Sequence, residues 1–566
     1  MSQAALARGR RLAALALATL ASFTLVVLRL AWVGVVLHPE LAERAVKQRA
    51  QTVSLRPVRG RILDRRGVPL AGGGLAYRVV AYPAVVGPDS PGLARLSVVT
   101  GAPVEALRRK LAAGGGPVFV ADGLDAEAAA AVTALGLEGV AVIADQVRYR
   151  LDGLASHVVG YLAGCHGADG LEKAWDEFLA GRGPELLALF VDGLGRPLET
   201  LGWRKVCWTE GACGAGRNDG PADVVTTLDH GIQAAVEEVM DRRVDRGAVV
   251  VLDPRSGDVL AMASRPDFDP ADLPSALDRA GAPLVNRAVA AYPVGSVFKP
   301  VVLAAALERG VVRPWDRLVC RGVEVADGHR VTCTALPSGG HGELGLEEAL
   351  AESCNVAFVE LGRLAGWETV AGLAGRLGLG RITGVGLPGE AAGCLPDGPG
   401  APPEAACGLG GVTATPLQIA RAYAAIAVGG RPVEPRLVTR VRFSTGPSAR
   451  VSRLPDERAG SGRLFGRLCS VALKGALVRV VEEGTGAPAG VLPGVAGKTG
   501  TVETGRRDRA GRKLYLGWFA GFWPVWDPRL VIVVLVEDTS EGGPYAAAVF
   551  GEILREVQKK DKGGTG

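Results

Sequence analysis

The 566-residue chain is poor in lysine, asparagine and histidine. It has 11 Lys against 53 Arg, only three Asn and six His. A basic position is therefore usually Arg, and composition alone would rarely supply a Lys inside a motif. Neither a Cys-x-x-Cys nor a His-Glu-x-x-His motif occurs in the sequence. Because zinc sites commonly use such closely spaced ligands, we predict no metal site and no cofactor.

A large excess of charge of one sign is also missing. The 64 basic and 59 acidic residues leave a net charge of +5, without a basic stripe that carries interleaved aromatics. This pattern argues against an extended nucleic-acid surface, so we predict no nucleic-acid partner. Hydrophobic residues make up 48% of the chain and charged residues 22%, which indicates a folded protein. Its length indicates several domains.

A long apolar run lies near the N-terminus. It extends from Leu12 to Leu37, with an interruption at Arg29, and three arginines precede it. As a helix it spans about 39 Å, enough to cross a membrane with Arg29 at the far interface. The upstream arginines favour a cytoplasmic N-terminus. We predict a cytoplasmic tail over residues 1–11, a single-pass anchor in the cell membrane over 12–37 and an extracytoplasmic remainder; a buried core helix is the alternative.

Two regions follow the apolar run. In the first, residues 38–220, the stretch 75–150 mixes short Val-rich runs with Ala/Leu-rich helical stretches, and a Gly-rich linker candidate begins at Gly202. Residues 221–566 have strand patterns at both ends and helices between them. Strands distant in sequence would have to meet in one sheet with helices packed on it, so we predict an α/β (α+β) fold. The strand patterns cover Asp223–Leu228, Gly247–Leu252, Asp258–Ser264, Val495–Glu503, Tyr515–Trp523 and Leu530–Val536, and an amphipathic helix follows from about Ala546 to Gln558.

The first of three short strings is Ser296-Val-Phe-Lys299. Pro300 is tolerated only in the first turn of the helical pattern that follows, so the helix cannot begin much before Ser296. Ser296 and Lys299 then share a helix face. A serine hydroxyl needs a base to become a nucleophile, and a Lys with a lowered pKa can be that base. An ordinary surface Ser and Lys is the alternative.

The second string is Ser353-Cys-Asn355, which follows a helical pattern. A hydroxyl and a carboxamide two residues apart on a turn can face one cavity. Ser353 can relay a proton to a leaving group, and Asn355 can hold a peptide backbone. Helix-capping roles for both residues are the alternative.

The third string, Lys498-Thr-Gly-Thr501, lies inside an apolar strand pattern. Thr499 and Thr501 share one face of the strand, and Gly500 indicates that a ligand approaches the backbone closely, so all three are candidate substrate-binding residues. A peptide can add to the edge of such a strand. Lys498 is the candidate second cation that lowers the pKa of Lys299. A tight turn between strands is the alternative.

Taken together, the three strings resemble the active-site motifs of penicillin-recognising serine transferases. Further strings resemble segments of class B penicillin-binding proteins, and the resemblance extends over most of the chain. These are Asn286-Arg-Ala, Leu387-Pro-Gly-Glu390, Val412–Gln418, Gly517-Trp-Phe-Ala-Gly521, and, in the N-terminal region, Arg59–Gly67 and Gly170-Leu-Glu172. The resemblance implies a transpeptidase domain of the serine β-lactamase-like fold over residues 221–566, with an antiparallel sheet flanked by helices. Residues 38–220 would form an α+β pedestal with a linker.

The resemblance also implies a reaction. Ser296 would attack the penultimate D-Ala carbonyl of a peptidoglycan stem peptide, and an amine from a neighbouring stem would resolve the acyl-enzyme. Backbone N–H groups of Ser296 and Thr501 would form the oxyanion hole. Lys498, Thr499 and Thr501 would receive the terminal carboxylate. The implied partners are lipid-linked or nascent glycan stem peptides, β-lactams that acylate Ser296, and a membrane glycosyltransferase of the FtsW/RodA type.

Cysteine occupies the middle of the second string. The nine Cys are compatible with zero to four disulfides. Cys354 is either a small buried apolar residue or part of a redox gate, in which a disulfide to Cys333 or Cys320 would pull Ser353 and Asn355 out of position. A Cys320–Cys333 bridge is the competing assignment.

Three other functions use the same strings. A β-lactamase or D,D-carboxypeptidase shares them, but the anchor, the pedestal and the length argue against it. A membrane-anchored β-lactam sensor needs a cytoplasmic signalling portion, and about eleven residues precede the apolar run. A catalytically silent scaffold would be expected to lose Ser296 or a Lys. Roles in cell elongation, division and sporulation stay open.

Overall fold

The computed structural model describes residues 3–55, 58–113, 115–149, 153–180, 185–198, 202–207, 221–326, 328–398, 400–443, 451–453 and 462–563. Most of the Gly-rich linker lies outside these residues. The chain forms two compact units: the first contains residues 1–56, 75–145 and 184–210, and the second contains 57–74, 146–183 and 211–566. The domain boundary between residues 220 and 221 stays a prediction.

The N-terminal part alternates short helices and strands. Its helices are α1 (Gln3–Val35), α2 (His38–Arg49), α3 (Gly92–Thr100), α4 (Val104–Ala112), α5 (Ala126–Ala134), α6 (Ser156–Val159), α7 (Gly170–Ala174) and α8 (Asp176–Leu179). Its strands are β1 (Ala50–Ser54), β2 (Ile62–Leu63), β3 (Pro69–Ala71), β4 (Gly74–Ala81), β5 (Val118–Leu124), β6 (Val140–Val147), β7 (Leu162–Ala163), β8 (His166–Gly167), β9 (Glu185–Phe190) and β10 (Trp203–Cys207).

The C-terminal part has longer elements. Its helices are α9 (His230–Arg243), α10 (Leu273–Leu277), α11 (Lys299–Glu308), α12 (Leu346–Ala351), α13 (Asn355–Ala365), α14 (Trp367–Arg376), α15 (Pro416–Ala427), α16 (Arg467–Glu482) and α17 (Gly543–Gly563). Its strands are β11 (Ala222–Thr226), β12 (Gly247–Leu252), β13 (Val259–Arg265), β14 (Tyr292–Pro293), β15 (Arg317–Cys320), β16 (Val323–Ala326), β17 (His329–Thr332), β18 (Gly342–Gly345), β19 (Thr413–Ala414), β20 (Val438–Phe443), β21 (Val451–Arg453), β22 (Ala496–Arg507), β23 (Lys513–Trp523) and β24 (Leu530–Thr539).

The first compact unit combines the apolar N-terminal helix with two small sheets. Residues Arg8–Val35 of α1 are long and apolar enough to cross a membrane, and their side chains are exposed. The helix therefore fits a single-pass membrane anchor. One sheet has the strand order β1-β9-β10 and the other β5-β4-β6. Helices α3, α4 and α5 contribute buried residues to the core of the second sheet, among them Leu96, Leu107 and Val132.

The second compact unit contains an antiparallel sheet in the order β13-β12-β24-β23-β22. Strands from both ends of the C-terminal region therefore meet, as the hydrophobic patterns predict. The predicted hairpin around Pro254–Gly257 is β12 and β13, and Asp229 caps α9 by accepting from the Gly231 and Ile232 amides. Helices α9 and α17 cover one face of the sheet, while the main helical core lies on the other. Because β22 comes last in the order, it forms an edge of the sheet.

Two N-terminal strings join this second unit. Strand β2 lies within Arg59–Gly67 and pairs in parallel with β11. The buried Arg59 guanidinium contacts Glu172 Oε2 at 3.0 Å and Asp176 Oδ1 at 2.7 Å. Glu172 belongs to the string Gly170-Leu-Glu172, and its side chain is fully buried. The two strings that carry the resemblance in this region thus meet through one buried ion pair.

A glycine pair fixes the turn before α11. Gly408 has a φ of +72°, and a Cβ there would lie 2.0 Å from the Gly295 carbonyl oxygen. The Gly295 amide in turn donates to the Gly408 carbonyl at 2.9 Å. Gly295 also has a positive φ, +57°, and a Cβ on it would come within 2.7 Å of Val502 Cγ2. The turn therefore depends on glycine at both positions.

We expect Gly408→Ala to lower the free energy of unfolding by about 1–3 kcal/mol more than Gly310→Ala, because the methyl group would overpack the Gly295 carbonyl. Gly310 is the matched control: it has the same φ of +72° and nothing within 4 Å of an added Cβ. Thermal unfolding of both variants measures the difference. An equal loss of unfolding free energy in Gly408→Ala and Gly310→Ala would show that backbone strain alone, and not overpacking, destabilises the residue 408 variant.

A buried histidine connects α6 to the segment around Pro283. His157 Nε2 lies 2.7 Å from the Pro283 carbonyl, to which it donates, and Nδ1 lies 3.3 Å from Ser156 Oγ. Burial lowers the pKa of His157 from 6.5 to about 4, although Asp267 opposes this effect. The folded protein thus keeps this imidazole neutral at pH values where the unfolded chain would protonate it.

The stability contribution of His157 should be complete above pH 6.5 and fall by about 3 kcal/mol between pH 6.5 and 4, because only the unfolded state gains the proton there. His157→Gln removes that titration, so the stability difference between wild type and variant should narrow as the pH falls. The control is His329→Gln, since His329 is about half exposed. A pH-independent difference for His157→Gln in thermal unfolding would contradict the assignment.

Candidate active site

Ser296 lies where a short turn leads into a helix. The 3₁₀ turn Gly295–Phe298 runs directly into α11, and Pro300 occupies the first helical turn as predicted. The buried Tyr423 hydroxyl donates to the Val297 carbonyl at 2.9 Å and supports the turn from the adjacent helix α15. The Ser296 side chain is half-buried. A partly exposed hydroxyl is therefore held at a helix start, where the helix dipole favours negative charge.

Lys299 is completely buried beside the second string. Its Nζ donates to the Ser353 carbonyl at 2.6 Å, to Asn355 Oδ1 at 2.8 Å and to Ser353 Oγ at 3.3 Å. The ring centroid of Phe358 lies 5.2 Å from the same nitrogen. Burial lowers the pKa of Lys299, while nearby cysteines act in the opposite direction. A lowered pKa allows a lysine to accept a proton.

The second string forms the turn between α12 and α13. Ser353 has a φ of +54°, an uncommon conformation for a residue with a side chain. Asn355 begins α13, and its amide Nδ2 donates to the Thr332 carbonyl at 3.0 Å. Since Asn355 Oδ1 accepts from Lys299, the carboxamide links the lysine to the end of β17. Asn355 thus orients Lys299, a contact that the sequence pattern did not predict.

Lys498 is the second buried lysine, also with 0% exposure. It lies on the edge strand β22, and its Nζ donates to the Thr499 carbonyl at 3.1 Å and to Thr499 Oγ1 at 3.3 Å. Burial, and then the charge of Lys299, lower the pKa of Lys498 well below its ordinary value. The charge of Lys299 therefore acts on Lys498, whereas the predicted effect of Lys498 on the pKa of Lys299 is not among the causes of the Lys299 shift and stays a prediction.

The rest of the third string lines the edge strand. Thr501 is exposed, and its Oγ1 accepts from the Gly543 amide at 2.9 Å. A Cβ on Gly500 would lie 3.0 Å from the Val294 carbonyl. The segment that precedes Ser296 therefore lies close to Gly500, while the predicted approach of a ligand to Gly500 stays a prediction. This contact packs the serine turn directly against β22.

Hydrogen bonds connect only part of the candidate site. In the described part of the chain, Lys299 is bonded to Ser353 and Asn355, and Ser296 Oγ is not among its partners. The backbone of the turn that carries Ser296 packs on β22, and this packing holds Ser296 next to the third string. The roles of these residues in a reaction stay predictions.

Three further residues support the site and were missed from the sequence. Thr485 Oγ1 shares a hydrogen bond of 2.6 Å with Thr499 Oγ1. Cys407 Sγ donates to the Asn355 carbonyl at 3.7 Å. His341 lies against Cys333. Only His341 offered a signal, since the chain has just six histidines.

The cysteines of the redox hypothesis are close together. Cys320, Cys333 and Cys354 are buried, and the Sγ atoms of Cys333 and Cys354 share a hydrogen bond at 3.8 Å. This bond lowers the pKa of Cys333 and raises that of Cys354. A disulfide has an S–S distance of about 2.05 Å, so these thiols are not bonded to each other. The redox gate stays a prediction. Elsewhere, Cys165 is disulfide-bonded.

Two family models match this chain. The penicillin-binding protein transpeptidase domain matches residues 247–555, which include all three strings. The penicillin-binding protein dimerisation domain matches residues 54–206. The first match alone covers more than half of the chain.

Similar proteins cover nearly the full length. Stage V sporulation protein D of Bacillus subtilis is 31% identical over 559 residues, which cover 94% of this chain and 83% of the relative. Peptidoglycan D,D-transpeptidase FtsI of Escherichia coli is 27% identical over 554 residues, which cover 94% of this chain and 88% of the relative. Peptidoglycan D,D-transpeptidase PbpA of Mycolicibacterium smegmatis is 32% identical over 427 residues, which cover 71% of this chain and 80% of the relative. The chain belongs to the class B penicillin-binding proteins.

Proposed function

We propose that this protein is a peptidoglycan D,D-transpeptidase that cross-links stem peptides through a serine acyl-enzyme. The observation that carries the proposal is the burial of Lys299 with its amine bonded to Ser353 and Asn355. A buried amine with a lowered pKa can take a proton from a hydroxyl and later return it. The names of the relatives FtsI and PbpA support the same activity.

In the acylation step, Ser296 Oγ attacks the carbonyl carbon of the penultimate D-Ala, and neutral Lys299 accepts the hydroxyl proton. The backbone N–H groups of Ser296 and Thr501 would hold the resulting oxyanion. The C–N bond then breaks, and the terminal D-Ala leaves as an amine after Ser353 relays a proton to its nitrogen. The product is an ester between Ser296 and the shortened stem peptide.

In the second step, an amine from a neighbouring stem attacks that ester. The amine loses a proton to the base, the C–O bond to Ser296 breaks, and Ser296 recovers its proton. A new amide bond joins the two stems. A β-lactam would acylate Ser296 through its strained amide in the same way, but without a departing fragment, since the ring keeps the amine attached.

Substrate positioning would fall mainly to the edge strand β22. A stem peptide can pair with this edge by backbone hydrogen bonds. Thr501 is exposed and can contact the terminal carboxylate directly, whereas Lys498 and Thr499 are buried. A carboxylate bound here would favour the protonated form of Lys498. The three residues would thus act together, with Thr501 in direct contact.

In our proposal, the reaction takes place outside the cell, on the far side of the membrane from the N-terminus. The arginines before residue 12 favour a cytoplasmic N-terminus, which leaves the transpeptidase domain on the extracytoplasmic side. Stem peptides on lipid-linked or nascent glycan are available there. A glycosyltransferase of the FtsW/RodA type, embedded in the same membrane, is the proposed partner that extends this glycan.

Fluorescent penicillin should label the wild-type chain and fail to label Ser296→Ala, because the nucleophile is missing. In-gel fluorescence measures the adduct, and circular dichroism checks the fold of the variant. Equal labelling would refute the assignment of Ser296. A label lost from the wild type within minutes would instead indicate a β-lactamase or carboxypeptidase of the same fold.

Lys299→Arg should slow penicillin acylation by about 10²–10⁴-fold, because a guanidinium stays protonated and cannot act as the base. Wild-type acylation should also slow as the pH falls and Lys299 becomes protonated. The lowered pKa of Lys299 moves this loss toward neutral pH. Stopped-flow acylation kinetics test both points, with the exposed Lys513→Arg as the control. An unchanged rate for Lys299→Arg would exclude Lys299 as the base.

A further inference from the structure

Four potential metal ligands meet directly behind the second string. They are Cys320, Cys333, His341 and Cys354, and one ligand atom from each lies within 4.8 Å of all the others. The three thiols are buried, and the His341 side chain is 12% exposed. We predicted no metal site from the sequence because these ligands occupy no short motif. We propose that this cluster, here called the Cys₃His cluster, binds one zinc ion.

The distances within the cluster fit tetrahedral coordination. Thiolates about 2.3 Å from one zinc lie about 3.8 Å apart at tetrahedral angles, and a sulfur and an imidazole nitrogen lie about 3.5 Å apart. Cys333 Sγ is 3.8 Å from Cys354 Sγ and 3.3 Å from His341 Nδ1. Closure of the whole cluster onto an ion would move each ligand by less than about 1 Å.

The orientation of His341 is a second, independent observation. Its Nδ1 faces the sulfurs, while its Nε2 lies 3.9 Å from Glu352 Oε2. Metal-bound imidazoles commonly present their other nitrogen to a carboxylate, which fixes the ring and raises its basicity. Glu352 immediately precedes the second string. The carboxylate therefore belongs to the same turn as Cys354.

The backbone around the cluster supports thiolate ligands. The Ala357 amide donates to Cys354 Sγ at 3.4 Å. Gly340 allows the His341 segment to pack closely, since a Cβ there would lie 2.3 Å from the Cys320 carbonyl. N–H groups aimed at sulfur stabilise the charge that metal binding requires.

The ligands come from four places that the fold brings together. Cys320 ends β15, Cys333 follows β17, His341 precedes β18, and Cys354 caps α13. Strands β15 and β18 pair with each other, as do β16 and β17. Four protein ligands leave no open position, so the zinc would be structural. It would clamp these two strand pairs to the turn that carries Ser353 and Asn355.

Zinc and the disulfide of the redox hypothesis exclude each other. Zinc binding replaces thiol protons by metal–sulfur bonds, whereas a Cys333–Cys354 disulfide would consume two of the four ligands. The proposal does not depend on the transpeptidase reaction. Ser296→Ala should keep its zinc, so the two proposals can fail separately.

The test is the zinc content of the full-length protein, purified in detergent, reduced, loaded with zinc sulfate and dialysed. Wild type should hold about one zinc per chain, while Cys333→Ser and His341→Gln should fall below about 0.1. Cys469→Ser and His329→Gln are matched controls, a buried cysteine and a histidine outside the cluster, and should hold about one zinc. Cobalt(II) in place of zinc should give the intense visible bands of tetrahedral thiolate ligation.

A milder variant covers the case in which ligand substitutions prevent folding. Glu352 is 51% exposed, so Glu352→Gln should fold normally while its zinc affinity falls about 10–100-fold. Glu343→Gln, at a similarly exposed glutamate, should leave the affinity unchanged. The proposal would be overturned by wild-type protein that has free thiols but takes up no zinc. Zinc retained by both ligand variants, or a Cys333–Cys354 disulfide in protein alkylated within intact cells, would overturn it as well.

Discussion

The burial of two lysines is the constraint on which the rest of this structure depends. Lys299 and Lys498 are both completely buried, in a chain that otherwise uses Arg almost five times as often as Lys. Arginine cannot lose its proton inside a protein, whereas a desolvated lysine can. Two neighbouring ammonium groups in one buried region repel each other, so at least one is readily deprotonated. That property turns an ordinary serine hydroxyl into a candidate nucleophile.

The fold holds these lysines from three directions. Helix α11 carries Lys299, and Ser353 and Asn355 at the start of α13 accept hydrogen bonds from its amine. The edge strand β22 carries Lys498. The glycine pair of Gly295 and Gly408 lets the serine turn pack against neighbouring backbone. Sheet, turn and helix come from distant parts of the sequence. A small shift of α11 or of the turn before α13 would separate the amine of Lys299 from Ser353 and Asn355.

The sequence predicted the main strands and helices of the C-terminal region but not the contacts between them, and the roles of the site residues stay predictions. Pro300 located the start of α11, and apolar runs located β22, which contains Gly500, and the neighbouring strands β23 and β24. By contrast, no local pattern showed that Asn355 would link Lys299 to Thr332. The Cys₃His cluster was missed for the same reason, because two strand pairs, one enclosing the other in sequence, bring its ligands together across 35 residues, from 320 to 354. Such contacts depend on tertiary packing, which a linear pattern does not encode.

Peptide mapping of the penicillin adduct tests the central claim most directly. The full-length protein would be acylated, digested and analysed by mass spectrometry, which locates the modified residue. The account predicts a single penicilloyl group on Ser296, beside the buried Lys299. An adduct on Ser353, or on any residue outside the turn Gly295–Phe298, would contradict it.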